Sequence, residues 1–138
     1  AESVIPLGRP GAMLEVKEWV GRGGIVGILA DRITEGDKMT RLDFLGAPAN
    51  FPLGPWLLAG MLQVPVVLCF AVYCGKGHYD VFFERLCDEA CVSRETRQEF
   101  AERLAARYAE RLACHCRRKP YNWFNFFDFW AEADRANA

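Results

Sequence analysis

An α/β fold, a mixed and mainly parallel sheet flanked by helices, is what the sequence predicts. Three observations predict it. Two apolar runs, Ile25 to Ala30 and Val64 to Tyr73, have the unbroken hydrophobicity of strands buried on both faces, as in parallel sheets. Two other segments alternate apolar and polar residues. Helical patterns separate and follow them, giving the order helix, strand, strand, helix, strand, strand, helix.

Each element has its own signal. Pro10 suits a first helical turn, and Met13, Val16, Trp19 and Val20 then recur at helical spacing. Gly21, Gly23 and Gly24 stop that helix. The run Ile25 to Ala30 ends at Asp31, and a polar loop follows to Lys38. Met39 to Leu45 alternates, with Leu42 and Phe44 opposite Arg41 and Asp43, so a second strand is expected there. Gly46 to Pro52 reads as a loop. Gly54 and Pro55 open a short apolar helix from Trp56 to Leu62. Val64 to Tyr73 is the third strand, buried on both faces. Cys74 to Gly77 is turn chemistry, and His78 to Leu86 alternates as a fourth strand. Ser93 is a candidate cap for a long helix from Arg94 to Cys116, whose Phe100, Leu104, Tyr108 and Leu112 lie four apart. Pro120 ends it, and an aromatic tail runs from Tyr121 to Trp130.

The 138 residues fit a single domain, residues 1–138, with no repeat, linker or low-complexity tract. A net charge of -1 argues against nucleic acid as the main partner. The first residues carry no secretory signal pattern. The longest apolar run, ten residues, is about half of the ~20 that a spanning helix needs. Peripheral attachment to a membrane remains open. The six cysteines have no secreted-framework spacing, so a reduced setting is expected.

Candidate site residues follow. Asp31 stands at the end of a buried strand, where α/β sheets gather ligands, and could orient or balance charge; the plainer reading is a loop carboxylate capping local amides. The Phe51 to Pro55 entry puts free helix amides where an anion or oxyanion could sit, or is an ordinary loop-to-helix junction. Cys87, Cys91, Cys114, His115 and Cys116 match no standard zinc spacing and read as scattered buried thiols, so no metal is expected. His78 and His115 have no convincing nucleophile or acid partner and read as surface histidines. Arg117, Arg118 and Lys119 precede a run in which seven of ten residues, Tyr121 to Trp130, are aromatic. That suits a membrane interface, or rings packed on the core with Trp130 and the basic residues at the rim.

The order of several blocks resembles the C-terminal part of the bacterial lipid A biosynthesis (lauroyl/myristoyl) acyltransferase family. These blocks are Gly24-Ile-Val-Gly-Ile-Leu-Ala-Asp31-Arg32, the strand end Leu42 to Gly46, and Ala49-Asn-Phe-Pro-Leu-Gly54-Pro55 with the helix to Leu62. Val64-Pro65-Val66-Val67, Tyr79 to Leu86, the long helix and Pro120-Tyr121-Asn122-Trp123-Phe124 continue the match, which covers nearly the whole chain. The ending Trp123 to Trp130 is similar to a subgroup linked to aryl-polyene or xanthomonadin-type pigment clusters. The resemblance implies the C-terminal portion of a glycerolipid-acyltransferase-like fold. It implies transfer of a fatty acyl group from an acyl thioester, on acyl carrier protein or acyl-CoA, to a hydroxyl of a lipid A-like or pigment-lipid acceptor. It implies no cofactor, and a place on the cytoplasmic face of the bacterial inner membrane.

The family's catalytic histidine, followed four intervening positions later by an acidic residue, lies upstream of everything matched here. His78 is followed five residues later by Phe83 and His115 by Pro120, so neither fits. The resemblance therefore implies a chain inactive by itself, with Asp31 supporting the site and Phe51, Gly54 and Trp56 lining the acyl pocket. Two other readings stand beside it. One is a non-catalytic docking module for a carrier protein or membrane. The other is a glycerolipid acyltransferase relative, from Phe51-Pro52-x-Gly54, in which Leu53 replaces the usual glutamate.

Overall fold

A computed structural model of the chain describes residues 4–5, 11–33, 36–88, 96–126 and 128–130. Among them the order is α1 (Ala12–Gly21), β1 (Met39–Phe44), β2 (Ala47–Pro52), α2 (Gly54–Leu62), β3 (Val66–Gly75), β4 (His78–Cys87), α3 (Arg97–Arg118) and a 3-10 turn, Pro120–Asn122. The predicted mainly parallel sheet is not what forms. The described strands make two separate antiparallel pairs, β1 with β2 and β3 with β4. The turns are the physical reason. Leu45 and Gly46 both have positive φ, as do Lys76 and Gly77. Two-residue turns of that hand close antiparallel hairpins, whereas a parallel pair needs a long crossover.

Three local expectations change with the topology. Residues 46–52, expected as a loop, supply β2. Pro48 and Pro52 fit within it because every strand of a two-stranded ribbon is an edge, where proline is tolerated. β3 is not buried on both faces: Leu68 and Val72 are buried while Val67, Cys69, Ala71 and Tyr73 are exposed. Residues 25–30 form no strand and join no ladder, and Ile25 is 93% exposed.

α3 organises the core. Thr96 caps it: its hydroxyl accepts from the Glu99 amide, and Glu99 in turn accepts from the Thr96 amide. Ser93, the expected cap, lies outside the described residues, as do Pro10 and Cys91. Phe100, Leu104, Tyr108 and Leu112 form the expected stripe, with Ala101, Ala105, Ala109 and Ala113 beside it. The alanines leave room for close approach by neighbours. A methyl on Gly60 of α2 would meet the Phe100 ring at 3.0 Å, so that glycine sets how near α2 lies to α3.

Phe44, Phe51, Leu53 and Leu104 are the largest fully buried side chains. The aromatic tail folds back onto them. Phe44 meets Trp123 at 5.3 Å, Phe129 at 5.5 Å and Trp130 at 6.1 Å between centroids. Trp130 Nε1 donates to the Phe44 carbonyl at 3.2 Å. Ring pairs of this kind add about 0.5–1.5 kcal/mol each beyond their buried area. The tail thus ties β1 and β2 to the end of α3.

Candidate functional site

A groove of about 910 Å³ opens between the irregular segment 23–31, α2, β3 and the second half of α3. Every residue from 23 to 31 lines it, and so does every residue from 64 to 72. The run of both parities along β3 means that a strand edge, not a strand face, bounds the groove on that side. One edge of β3 is taken by β4, and the other has no ladder partner among the described residues. The floor is apolar: Trp56, Ala59 and Leu62 from α2 and Tyr108 and Leu112 from α3. Polar groups collect at Asp31, His115, Lys119 and Asn122.

Asp31 accepts from Trp123 Nε1 at 3.2 Å, and Arg32 Nε lies 3.8 Å from its other oxygen. It therefore stands on the groove wall, held by the aromatic tail. Asn122 accepts from the Tyr73 amide and pins the 3-10 turn to β3. Burial raises the Tyr108 phenol far above its ordinary value, with the Asp31 charge adding to it. Burial likewise pushes the Cys116 thiol up to about 11, so this thiol is not a poised nucleophile.

The expected substrate contacts divide. Trp56 lines the groove. Phe51 points into the core against Phe44 and Phe129, at 5.3 and 5.4 Å. Gly54 is exposed and outside the lining. At the expected rim, Lys119 lines the groove while Arg117 and Arg118 are exposed beside it. Trp130 is half-buried against Phe44, and Tyr121, Phe124 and Phe126 are the exposed rings, Tyr121 at 91% and Phe126 at 88%.

One constellation escaped the sequence. His115 is not at the surface; it is 8% exposed and lies over Phe70 at 4.3 Å between centroids. Its Nε2 donates to Glu84 Oε1 at 2.9 Å, and Arg111 Nη2 donates to the same oxygen at 3.0 Å. Arg111 holds the Glu84 carboxyl well below its ordinary value, to about 2, with His115 as a further cause. The signal was present in β4. Phe82, Glu84 and Leu86 share one strand face, so an acid sits in the row that meets α3, where Arg111 and His115 lie one turn apart. His78 instead stands at the exposed turn, its Nδ1 3.2 Å from the Lys76 carbonyl.

Among the described residues, no three His, Cys, Asp or Glu side chains gather as a metal ion would require. None of the described helices is long and apolar enough to cross a membrane. Compared with known proteins, the chain matches no family model, no curated protein sequence and no solved structure.

Proposed function

We propose that the chain is the acyl-binding portion of an acyltransferase. In this reading a fatty acyl group passes from an acyl thioester, on acyl carrier protein or acyl-CoA, to a hydroxyl of a lipid A-like or pigment-lipid acceptor. The observation that carries it is the groove: long, apolar along its floor, and bordered by polar groups at Asp31, Lys119 and Asn122. Its volume falls near the top of the ~300–1,000 Å³ range of small-molecule sites. The attacking hydroxyl loses its proton to a general base, the new C–O ester bond forms, the C–S bond breaks, and the thiol leaves with a proton. In this reading the base is the histidine of the family's motif, which the matched blocks do not include, and His115, 8% exposed and stacked on Phe70, serves the groove wall. Asp31, fixed by Trp123, is the supporting carboxylate.

Chain-length dependence tests the reading. Saturated fatty acids of increasing length should displace a fluorescent probe with rising affinity, each methylene contributing up to ~0.8 kcal/mol until the groove is full. Affinity indifferent to chain length would defeat it.

One observation favours a second reading, a non-catalytic docking module on a membrane surface. Tyr121, Phe124 and Phe126 are exposed beside Arg117, Arg118 and Lys119, and residues 117–126 contain no acidic side chain. Rings and cations so arranged suit an anionic bilayer such as the inner membrane's cytoplasmic face. The two readings share a prediction, since an enzyme with a greasy acceptor also benefits from such a surface.

A further inference from the structure

The outer face of the β3–β4 ribbon has no cover among the described residues. α3 takes the inner face, where Leu68 and Leu86 are buried in the core. On the outer face β3 sets Val67, Cys69, Ala71 and Tyr73 in a row. Opposite them, in that order, β4 sets Arg85, Phe83, Val81 and Tyr79. All eight are exposed, the large apolar ones by between 40% and 72%. Aromatic side chains carry about 150–250 Å² each, so the face offers on the order of 500 Å² of apolar surface. A patch of that extent commonly serves recognition. It supplies most of the ~800 Å² that each partner brings to a standard interface.

Charge and shape both suit a second copy of the chain. The one charged side chain in the face, Arg85, already has Asp88 at 2.8 Å. The face therefore offers little to a charged peptide or an anionic bilayer and matches a surface as neutral and apolar as itself. Its two rows also differ in size. Register sets Cys69 beside Phe83 and Ala71 beside Val81, small next to large each time. A twofold axis running along the ribbon lays the β3 row of one copy on the β4 row of the other. Phe83 then enters the low ground over Cys69, Val81 meets Ala71, and each Arg85 lies over Val67 rather than over its own image. Stacked sheets pack about 10 Å apart with their side chains interdigitated in this way. A contact of the same patch with itself closes at two copies.

We propose that two copies of the chain pair through the outer faces of their β3–β4 ribbons, with Phe83 of each seated over Cys69 of the other. Val67, Cys69, Ala71 and Phe83 also border the groove, so the second copy lies along its mouth. The pairing holds whether or not the groove takes an acyl chain.

Sedimentation velocity of the freshly purified chain over a range of concentrations tests the pairing. The mass should rise with concentration from one chain to two and stop there. Val81 is central to the face, exposed, and outside the groove lining. Val81→Glu should weaken the dimer at least about tenfold, because pairing would bury an unmatched charge. Tyr79→Lys, exposed in the same row, should do so as well. Maleimide labelling then locates the contact. Cys69 lies within it, whereas Cys74, also exposed, turns to Asp80. Labelling of Cys69 relative to Cys74 should fall several-fold as the wild-type chain is concentrated and stay constant for Val81→Glu. A mass of one chain at every concentration would overturn the pairing. A dimer that leaves Cys69 as reactive as before, or growth past two copies that Val81→Glu does not alter, would place association on another surface and overturn it too. Protection of Cys69 by lipid vesicles while the chain stays monomeric would make the face a membrane surface instead.

Discussion

Glu84 and His115 lie 31 residues apart in the chain and 2.9 Å apart in space. Arg111 completes the cluster from one turn earlier on α3, and together the three join the β3–β4 hairpin to the helix. The cluster touches the groove through His115, which is one of its lining residues. Its chemistry gives the first prediction.

The Glu84 carboxyl titrates near 2 when folded, against an ordinary value of 4.5. A depressed acid contributes stability that is complete above its unfolded value and is lost as pH falls through the folded one. The wild-type chain should therefore lose stability between pH 4.5 and about 2 that Glu84→Gln never had. Melting temperature against pH, measured for both, checks this. Curves that stay parallel across that interval would mean that the ion pair is not formed in solution.

The tail should show two kinds of aromatic residue. Phe129 is buried against Phe44, Phe51 and Trp123, so Phe129→Ala should cost about 3–5 kcal/mol of unfolding free energy. Phe126 is exposed, and Phe126→Ala should stay within about 0.5 kcal/mol. Urea denaturation of both variants measures the contrast, and equal effects would refute the packing described.

The exposed rings should bind lipid. Co-sedimentation with anionic vesicles should be seen for the wild-type chain, weaken at high salt, and fall sharply when Tyr121, Phe124 and Phe126 are all changed to serine. Reversing Arg117 and Arg118 to glutamate should remove the preference for anionic over neutral vesicles. Folding should survive both changes, because these side chains are exposed. Binding that ignores both sets of changes would move the surface elsewhere.

Asp31 should matter to turnover more than to folding. If the acyltransferase proposal holds, Asp31→Asn in the active protein should slow acyl transfer at least about tenfold, or ~1.4 kcal/mol of barrier. The amide oxygen can still accept from Trp123, so the wall should hold its shape. Steady-state kinetics with an acyl carrier protein thioester provide the measurement, and wild-type rates would return Asp31 to a purely structural role. The chain by itself should transfer no acyl group above a heat-killed control.

Much of the local structure was legible in the sequence. The stripe through Phe100, Leu104, Tyr108 and Leu112 identifies the buried face of α3 because its spacing repeats over the whole helix. The alternation from His78 to Leu86 marks β4 for a similar reason. Pairing was less legible. The hydrophobicity of residues 25–30 and 64–73 shows that something apolar should lie against them, but not what or in which direction. Both segments in fact border the groove, and of the two only 64–73 also buries side chains, Leu68 and Val72. The site was read in part. Trp56 and Asp31 reach the groove, whereas Phe51 turns inward because its strand face meets Phe44 and Phe129. The Glu84–His115 pair depends on the register of β4 against α3, a relation that no local spacing contains.

The open edge has a consequence for handling the chain. β3 offers a row of backbone donors and acceptors along one side of the groove. Flanked by Val66, Val67, Leu68 and Phe70, such an edge is a template for strands from neighbouring molecules. Concentrated solutions should drift toward oligomers and eventually fibrillar, thioflavin-positive material. A lysine at Val67, whose side chain is already exposed, would act as a gatekeeper there and keep the chains apart by charge.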